Sequence, residues 1–282
     1  MSRIAYVNGS YRPLSEPLID VEDRGYQFGD GIYEVWGVYR GALMDAEGHV
    51  ARLQRSLREL RIAMPMTTAA LMIILKEVQR RNRVSEGYLY LQITRGVAPR
   101  DHAFPSPQRR PIVVVTAKQV DPAFAEEKAR NGVSIITTPE IRWARRDIKT
   151  INLLPNVLAK QAAREAGAVE AWFVTDEGLV TEGSSSNAWI VDENGVLRTA
   201  PLSNAILHGV TRAALTTLAE QHQIRIEERS FTKEDALTAR EAFLTSASNV
   251  AIPIVRIDGR EIGGGTPGPV AKLLRDAYYG AA

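Results

Sequence analysis

The glycine-spaced segment 23–35 places the strongest constraint on how this chain can fold. Gly25, Gly29 and Gly31 lie at short intervals within it. Glycine has no Cβ atom, so this spacing predicts a tightly turning backbone that passes close to bulky neighbours. Residues 32–39 overlap the end of this segment, and their alternation predicts a strand.

The rest of the chain mixes strand and helix patterns without strict alternation and without an internal repeat. Hairpins are predicted at Asn8-Gly9, Asn194-Gly195 and Asp258-Gly259. Apolar spacing predicts helices over residues 49–62, 68–82, 154–166, 210–221, 233–238 and 269–278. Strands are predicted over residues 4–7, 11–14, 32–39, 88–94, 111–118, 133–137, 171–175, 179–182, 188–191 and 196–199, and near Phe243 and Ile254. The predicted fold class is α+β or mixed α/β.

A boundary between two domains is predicted at Asp121-Pro122, where the sequence looks like a linker. The boundary separates a smaller N-terminal α/β domain, residues 1–120, from a larger C-terminal domain of mixed sheet and helices, residues 121–282. A chain of 282 residues is long enough for one large domain or for two domains of moderate size.

Composition excludes several classes of function. Lys plus Arg is 35 and Asp plus Glu is 33, and the resulting net charge of +2 is no signature of nucleic-acid binding. The absence of cysteine excludes disulfides and thiolate metal sites, and we expect no metal. Residues 1–9 lack a secretory signal, and no apolar run approaches the length that spans a bilayer. We therefore expect a cytoplasmic protein with no nucleic-acid or membrane partner.

Lys149 is the first candidate for chemistry. It lies between Ile148 and Ile151, just after the basic run 142–146. Apolar surroundings and nearby cations both disfavour an ammonium ion, and an uncharged amine is a nucleophile that can form an imine with a carbonyl. The alternative is a surface lysine whose stem lies along apolar side chains.

Three further features could take part in the same chemistry. Glu182 ends a predicted strand, and it is either a solvated strand end or a carboxylate that keeps a heteroaromatic nitrogen protonated. Thr211 begins a predicted helix, where it is either an ordinary cap or part of an anion site formed by backbone N–H groups. The small polar turn 245–249 could complete such an anion site. None of these features is specific alone.

Together these residues match a family. In segments 24–31, 147–149 and 181–187 the chain resembles the fold-type-IV pyridoxal-phosphate transaminases, and within them the D-amino acid branch. The resemblance extends over nearly the whole chain. It implies a two-domain fold with pyridoxal 5′-phosphate at the domain interface. It also implies a ping-pong transfer of the amino group from a D-amino acid such as D-alanine to a 2-oxo acid such as 2-oxoglutarate.

The resemblance implies roles for particular residues. Lys149 matches the lysine that forms the Schiff base and carries the proton, Glu182 matches the carboxylate on the pyridine nitrogen, and Tyr33 matches the active-site tyrosine. The phosphate-binding positions are matched by Arg52, Val210, Thr211, Ser246 and Ala247. Ala247 stands where the family can place a threonine hydroxyl, so we expect only a backbone contact there.

Arg100 and His102 are the residues that separate the D-amino acid branch from its relatives. In that branch the equivalent pair, together with the tyrosine, binds the substrate carboxylate and is lent by the partner subunit, which implies a homodimer. A guanidinium group suits a planar carboxylate because it donates paired hydrogen bonds. The alternative is a solvated basic loop.

Three other functions remain open at this point. A branched-chain L-amino acid transaminase shares the fold and cofactor but does not need the Arg100/His102 pair. An aminodeoxychorismate lyase shares the lysine and eliminates pyruvate instead of transferring nitrogen. A non-catalytic cofactor-binding module is the alternative outside enzymes, and the full set of Lys149, Glu182, Arg52 and Tyr33 argues against it.

Overall fold

The structure is a computed structural model, and it describes residues 3–16 and 18–281. The chain forms two compact units. The first extends to Asp121 and also contains Ile148–Leu153, whereas the second contains Pro122–Asp147 and the chain from Leu154 onward. Across the two described ranges, no helix combines the length and the apolar character that crossing a membrane requires.

The first unit contains an antiparallel sheet of six strands. The strands are β1 (Ile4–Val7), β2 (Ser10–Pro13), β3 (Gly31–Tyr39), β4 (Ala42–Leu43), β5 (Gly87–Thr94) and β6 (Ile112–Gln119). Their order across the sheet is β2-β1-β6-β5-β3-β4. The helices described in this unit are α1 (Arg24–Phe28), α2 (Ala46–Glu59) and α3 (Thr68–Asn82).

Helix α3 shows how the sequence produces the core of the first unit. Thr67 caps its N-terminus by accepting a hydrogen bond from a backbone N–H group, which satisfies one donor that the helix leaves unpaired. Leu71, Leu75 and Val78 recur at helical spacing and are buried. They belong to the same apolar cluster as Trp36 of β3. The helix predicted over residues 68–82 is confirmed.

The glycine-spaced segment folds as predicted, with one addition. A Cβ atom on Gly25 would lie 2.2 Å from Thr94 Cγ2, and one on Gly31 would lie 2.6 Å from the Ile93 carbonyl oxygen. Gly29 has a φ of 67°, which glycine adopts without strain and which ends α1. The addition is α1 itself, a single turn that periodicity could not reveal because it is only five residues long.

Residues 148–153 belong to the first unit because their backbone is bonded to β3. The Tyr33 N–H group donates to the Lys149 carbonyl at 3.0 Å, and the Ile151 N–H group donates to the Gly31 carbonyl at 3.1 Å. Thr150 forms a β-bridge with Ile32 between these bonds. This differs from the sequence-based assignment of Lys149 to the second domain, because such pairing joins residues that lie far apart in the chain.

The second unit contains a ten-stranded sheet. Its strands are β7 (Val133–Pro139), β8 (Glu170–Val174), β9 (Leu179–Gly183), β10 (Asn187–Val191), β11 (Leu197–Thr199), β12 (Ile226–Glu228), β13 (Phe231–Thr232), β14 (Glu241–Ser246), β15 (Asn249–Ile257) and β16 (Arg260–Glu261). The order is β12-β11-β10-β14-β15-β7-β8-β9-β13, and β16 pairs with β15. Parallel and antiparallel pairs both occur, so the sheet is mixed.

The helices described in the second unit are α4 (Pro122–Asn131), α5 (Leu154–Glu165), α6 (Val210–Gln221), α7 (Lys233–Thr238) and α8 (Pro269–Gly280). Helix α4 begins at the proline that the sequence suggested was part of a linker, since proline is well tolerated in a first helical turn. Trp172, Phe231 and Ile190 lie in the apolar cluster of this unit. Together the two units form an α+β architecture, as predicted.

Candidate active site

Lys149 is held on β3 by its backbone, and its side chain lies against an aromatic ring. The Lys149 N–H group donates to Ser56 Oγ at 3.3 Å, in addition to the bond that its carbonyl accepts from Tyr33. Its Nζ atom lies 4.1 Å from the centroid of the Tyr33 ring. The amine is therefore positioned by strand pairing and by contact with a π face, and both partners belong to the first unit.

The Tyr33 ring is itself supported by a second tyrosine. The Tyr33 and Tyr90 rings stack with centroids 5.6 Å apart and planes at 26°. The Tyr90 hydroxyl donates to Gln92 Oε1 at 2.9 Å. Burial, followed by proximity to Tyr33, raises the pKa of Tyr90 to about 12. Tyr90 is thus a neutral hydrogen-bond donor at ordinary pH.

Arg52 lies in a buried ion pair with Glu34. Its Nε and Nη2 atoms donate to the two Glu34 carboxylate oxygens at 3.0 and 2.6 Å, and His49 Nδ1 lies 2.9 Å from the same carboxylate. Burial raises the pKa of Glu34, but the Arg52 charge and the hydrogen bonds from His49 and Arg52 outweigh it, and the pKa lies well below its usual value. Burial also lowers the pKa of His49. The guanidinium of Arg52 is therefore fixed in direction.

Arg100 and His102 lie together on an exposed loop of the first unit. The guanidinium carbon of Arg100 is 4.6 Å from the centroid of the Phe28 ring, and the His102 ring centroid is 5.5 Å from it. Within residues 3–16 and 18–281, the Arg100 side chain has no hydrogen bond or ion pair. The structure thus brings this pair together with Phe28, and it brings Lys149 together with Tyr33.

Glu182 is 4% exposed and lies near the end of β9, in the second unit. Arg142 Nη1 donates to it at 2.6 Å, the Leu207 N–H group donates at 3.0 Å, and Asn187 Nδ2 donates at 3.1 Å. Burial raises the pKa of Glu182, and the Arg142 charge opposes this shift. A carboxylate buried so fully needs such donors, and this one is not a solvated strand end.

Arg142 was not foreseen as a partner of Glu182. It also forms a two-bond ion pair with Glu140, at 2.9 and 2.6 Å, and its guanidinium carbon lies 4.3 Å from the Phe173 ring centroid. The nearby basic residues are paired as well, Arg145 with Asp147 and Arg146 with Glu140. The basic run was expected to place cations near Lys149, and in the structure each of its three guanidinium groups has a carboxylate partner.

The turn that follows Glu182 is fixed by a buried carboxylate that the sequence did not single out. Glu170 accepts hydrogen bonds from the hydroxyls of Ser184, Ser185 and Ser186, the latter two at 2.7 and 3.0 Å. A Cβ atom on Gly183 would lie 3.2 Å from the Glu170 carboxyl carbon and 2.4 Å from Ser186 Oγ. The run of three serines is the only sequence signal for this arrangement.

Val210 and Thr211 lie at the N-terminus of α6, which has Gly209 as its cap and no side-chain capping bond. A Cβ atom on Gly209 would lie 2.0 Å from Asn187 Oδ1, so the close approach requires glycine. Thr211 is buried. Backbone N–H groups at such a terminus, with the helix dipole behind them, favour an anion.

Ser246 and Ala247 lie at the turn between β14 and β15, where the strand register shifts. Asn249 Nδ2 lies 3.5 Å from Ser246 Oγ and donates to Ser248 Oγ at 3.1 Å. Thr245, one residue earlier, accepts a hydrogen bond from Trp189 Nε1 at 2.9 Å. Its hydroxyl oxygen is therefore bonded inside the sheet, and Ala247 can offer only its backbone.

Residues 31–257 match the profile of the family described as amino-transferase class IV. The chain belongs to this family. The matched range includes Tyr33, Arg52, Lys149, Glu182 and Thr211, which are the residues described above.

Two curated relatives of this class IV aminotransferase are named D-alanine aminotransferase. The protein from Bacillus licheniformis is 44% identical over 270 residues, which cover 96% of this chain and 94% of that protein. The protein from Staphylococcus haemolyticus is 38% identical over 273 residues, which cover 97% and 95%.

Solved structures give the same fold. A branched-chain amino acid aminotransferase from T.th., solved with pyridoxamine 5′-phosphate, has a TM-score of 0.89 and 30% identity. The comparison covers 100% of this chain and 94% of that one. The predicted family and fold class are confirmed.

Proposed function

We propose that this class IV aminotransferase transfers the amino group of a D-amino acid, such as D-alanine, to a 2-oxo acid, such as 2-oxoglutarate. The observation that carries the proposal is 44% identity to a D-alanine aminotransferase along 96% of the chain. The cofactor is pyridoxal 5′-phosphate, in keeping with the solved relatives that hold pyridoxamine 5′-phosphate and N-(5′-phosphopyridoxyl)-L-glutamate. We also propose a cytoplasmic location, where free amino acids and 2-oxo acids are available.

The residues fit this cofactor by their chemistry. Lys149 offers an amine beside an aromatic ring for the aldehyde. Glu182 offers a buried carboxylate for a pyridinium nitrogen, and a positive charge there offsets the cost of its burial. The N-terminus of α6 at Val210 and Thr211 suits the phosphate, as does the fixed guanidinium of Arg52.

When bound, the cofactor supplies an aldehyde that takes up the amino group and a protonated ring that withdraws electrons from the substrate α-carbon. Lys149 removes the α-proton of the substrate and later returns a proton. Its backbone is held by pairing with β3, and its amine lies against the Tyr33 ring. Glu182 keeps the ring nitrogen protonated, and Arg142 and Asn187 keep Glu182 in place. Arg100 and His102 hold the substrate carboxylate.

A branched-chain activity is the strongest rival, because the solved neighbours with the same fold include branched-chain aminotransferases. Their identity to this chain reaches 30%, below the 38–44% of the D-alanine aminotransferases. The loop that carries Arg100 and His102 also favours the D-amino acid function. We therefore place the branched-chain function second and the aminodeoxychorismate lyase function third.

The proposal is tested by comparing the rates at which the protein consumes D- and L-amino acids. The wild-type protein, incubated with 2-oxoglutarate, is expected to consume D-alanine faster than L-alanine or L-leucine. Arg100→Ala removes a charge-assisted contact worth roughly 1.5–3 kcal/mol, which is about one to two decades in the KM for D-alanine. The loss falls on D-substrates because the side on which the carboxylate binds decides which enantiomer turns its α-hydrogen to Lys149. Coupled assays of 2-oxo acid formation measure both effects.

Arg109→Ala is the matched control, since Arg109 is an exposed arginine of the same loop region. It should leave the KM for D-alanine within about twofold of wild type. A wild-type preference for L-leucine over D-alanine would sink the D-amino acid proposal and put the branched-chain function in its place.

We further propose that the chain acts as a homodimer in which the loop with Arg100 and His102 is lent to the partner's site. Two-fold dimers are the commonest soluble oligomers. Two observations support this arrangement. The loop is exposed, and among the described residues the Arg100 side chain has no hydrogen bond or ion pair.

The loop exchange predicts complementation between two impaired variants. Lys149→Ala keeps an intact loop, and Arg100→Ala keeps an intact lysine. In a mixed dimer the two therefore assemble one complete site. The two unfolded variants are mixed and refolded together, and D-alanine turnover is then measured. Random pairing makes half of the dimers mixed, and one of the two sites in each mixed dimer is complete. The expected activity is therefore up to about one quarter of the wild-type value. Activity that stays at the sum of the separate variants would contradict the exchange.

A further inference from the structure

The segment Arg24–Gly31 has no role in the function proposed above. It is one of the three segments in which the chain resembles its family, yet it contains none of the proposed site residues. Its backbone at Gly31 is bonded to Ile151, and its side chains Arg24 and Phe28 contact the loop that carries Arg100 and His102.

Arg24 connects this segment to the loop through its guanidinium group. Its Nε atom donates to Asp30 Oδ2 at 2.8 Å, which anchors it to the turn before β3. Its Nη1 atom donates to the Asp101 carbonyl at 2.5 Å, and its Nη2 atom donates to the His102 carbonyl at 3.3 Å. Arg24 is 3% exposed, although the loop residues that it bonds are exposed. The buried Arg24 side chain thus binds the backbone of the loop that carries Arg100 and His102.

Asp30 fixes the start of the same loop through a second arginine. Arg95 donates to both Asp30 oxygens, at 2.7 and 2.8 Å, and to the Leu60 carbonyl at 2.8 Å. Its guanidinium carbon lies 3.7 Å from the centroid of the Phe104 ring, further along the loop. Burial raises the pKa of Asp30, but the hydrogen bonds from Arg95 and Arg24 outweigh it, and the pKa is lowered. Asp30 therefore stays charged and holds both arginines.

Phe28 provides the surface on which the two loop side chains lie. The guanidinium carbons of Arg24 and Arg100 lie 4.7 and 4.6 Å from its ring centroid. The His102 ring centroid lies 5.5 Å away at an interplanar angle of 47°. A guanidinium over a ring face is attracted by the negative face of the ring, and its N–H edge remains able to bind a carboxylate.

We infer that Arg24 and Phe28 are positioning residues that hold Arg100 and His102 in the orientation that binds the substrate carboxylate. The inference rests on the proposed function and names the residues that tune its selectivity. A loop between β5 and β6 with so little regular structure loses conformational freedom when it binds a ligand. Bonds from Arg24 remove part of that freedom in advance, which strengthens carboxylate binding.

Arg24→Lys tests this inference. Lysine keeps the positive charge beside Asp30, but it cannot donate to the carboxylate and to two carbonyls in a fixed fork. The KM for D-alanine should rise about tenfold or more while kcat changes less, because the misplaced pair binds the carboxylate poorly. Hydrogen exchange of the amides in the loop around Arg100 and His102 should become faster. The cofactor should still react with hydroxylamine, which has no carboxylate, at the wild-type rate.

Phe28→Leu is the second variant, and it removes the ring without altering any hydrogen bond of Arg24. It should raise the KM for D-alanine in the same direction, and it decides the question if Arg24→Lys does not fold. Arg275→Lys is the matched control. Arg275 is also a buried arginine that joins a carboxylate, Glu126, to a backbone carbonyl, Val250, and its change should leave the KM for D-alanine unaltered.

The outcomes separate this inference from the proposed function. If Arg100→Ala weakens D-alanine binding but Arg24→Lys and Phe28→Leu leave both KM and loop exchange unchanged, the positioning role is wrong. A hydroxylamine reaction slowed as much as D-alanine turnover would show general damage and would also overturn it. A wild-type protein without D-alanine activity overturns the proposed function and the inference with it.

Discussion

Lys149→Ala is expected to lower D-alanine transamination by about 10⁴-fold, since it removes both the covalent attachment and the proton carrier. No other lysine of the described chain pairs its backbone with β3 beside Tyr33. The variant should still bind cofactor through the N-terminus of α6 and Arg52. Borohydride reduction followed by peptide mass analysis measures the attachment directly. It should label the Lys149 peptide in the wild type and leave the variant unlabelled.

Lys272→Ala is the control for that experiment. Lys272 is exposed and pairs with Asp276 on α8, so its change should leave both the label and the turnover intact. Turnover of Lys149→Ala near the wild-type value, or a wild-type label on a different lysine, would show that the central assignment is wrong.

Glu182→Gln is expected to preserve the fold and to lower turnover by about 10²–10³-fold. An amide cannot hold a ring nitrogen in its protonated form as a carboxylate does. The amide also places an N–H donor opposite the Arg142 guanidinium and the Leu207 N–H group. Both of these groups are themselves donors, so they lose an acceptor. Single-turnover rates with D-alanine, together with the absorbance of the bound cofactor, measure the loss.

Glu241→Gln supplies the comparison, because Glu241 is likewise a buried carboxylate of the second unit. It accepts hydrogen bonds from the Val270 and Ala271 N–H groups at the start of α8. Its change should lower stability without lowering the turnover of the folded protein. An unaltered rate in Glu182→Gln would mean that this glutamate is only a structural residue.

Local patterns in the sequence predicted those elements that local spacing determines. The helices over residues 68–82, 210–221 and 233–238 are observed at the predicted bounds. Each has apolar residues at helical spacing, and two of them have a threonine cap. Helix α1 escaped prediction because it is a single turn, and α4 did so because Pro122 and the adjacent aspartate also suit a linker.

The partners of the candidate residues could not be predicted in the same way. Glu182 meets Arg142 across 40 positions of the chain, and Arg52 meets Glu34 across 18. Glu34 stands in an otherwise apolar strand, where nothing in its neighbours indicates an ion pair. Such contacts depend on which strands and helices become neighbours, and periodicity carries no information about that.

The backbone pairing of Lys149 with β3 has a consequence for how this protein can diverge in evolution. The bonds that place the lysine join main-chain atoms, so they survive a change of side chain at the neighbouring positions. An inserted or deleted residue in this segment would instead shift its register and turn the amine to the opposite face. Natural variants should therefore keep the length of this segment constant, including those in which side chains after the lysine differ.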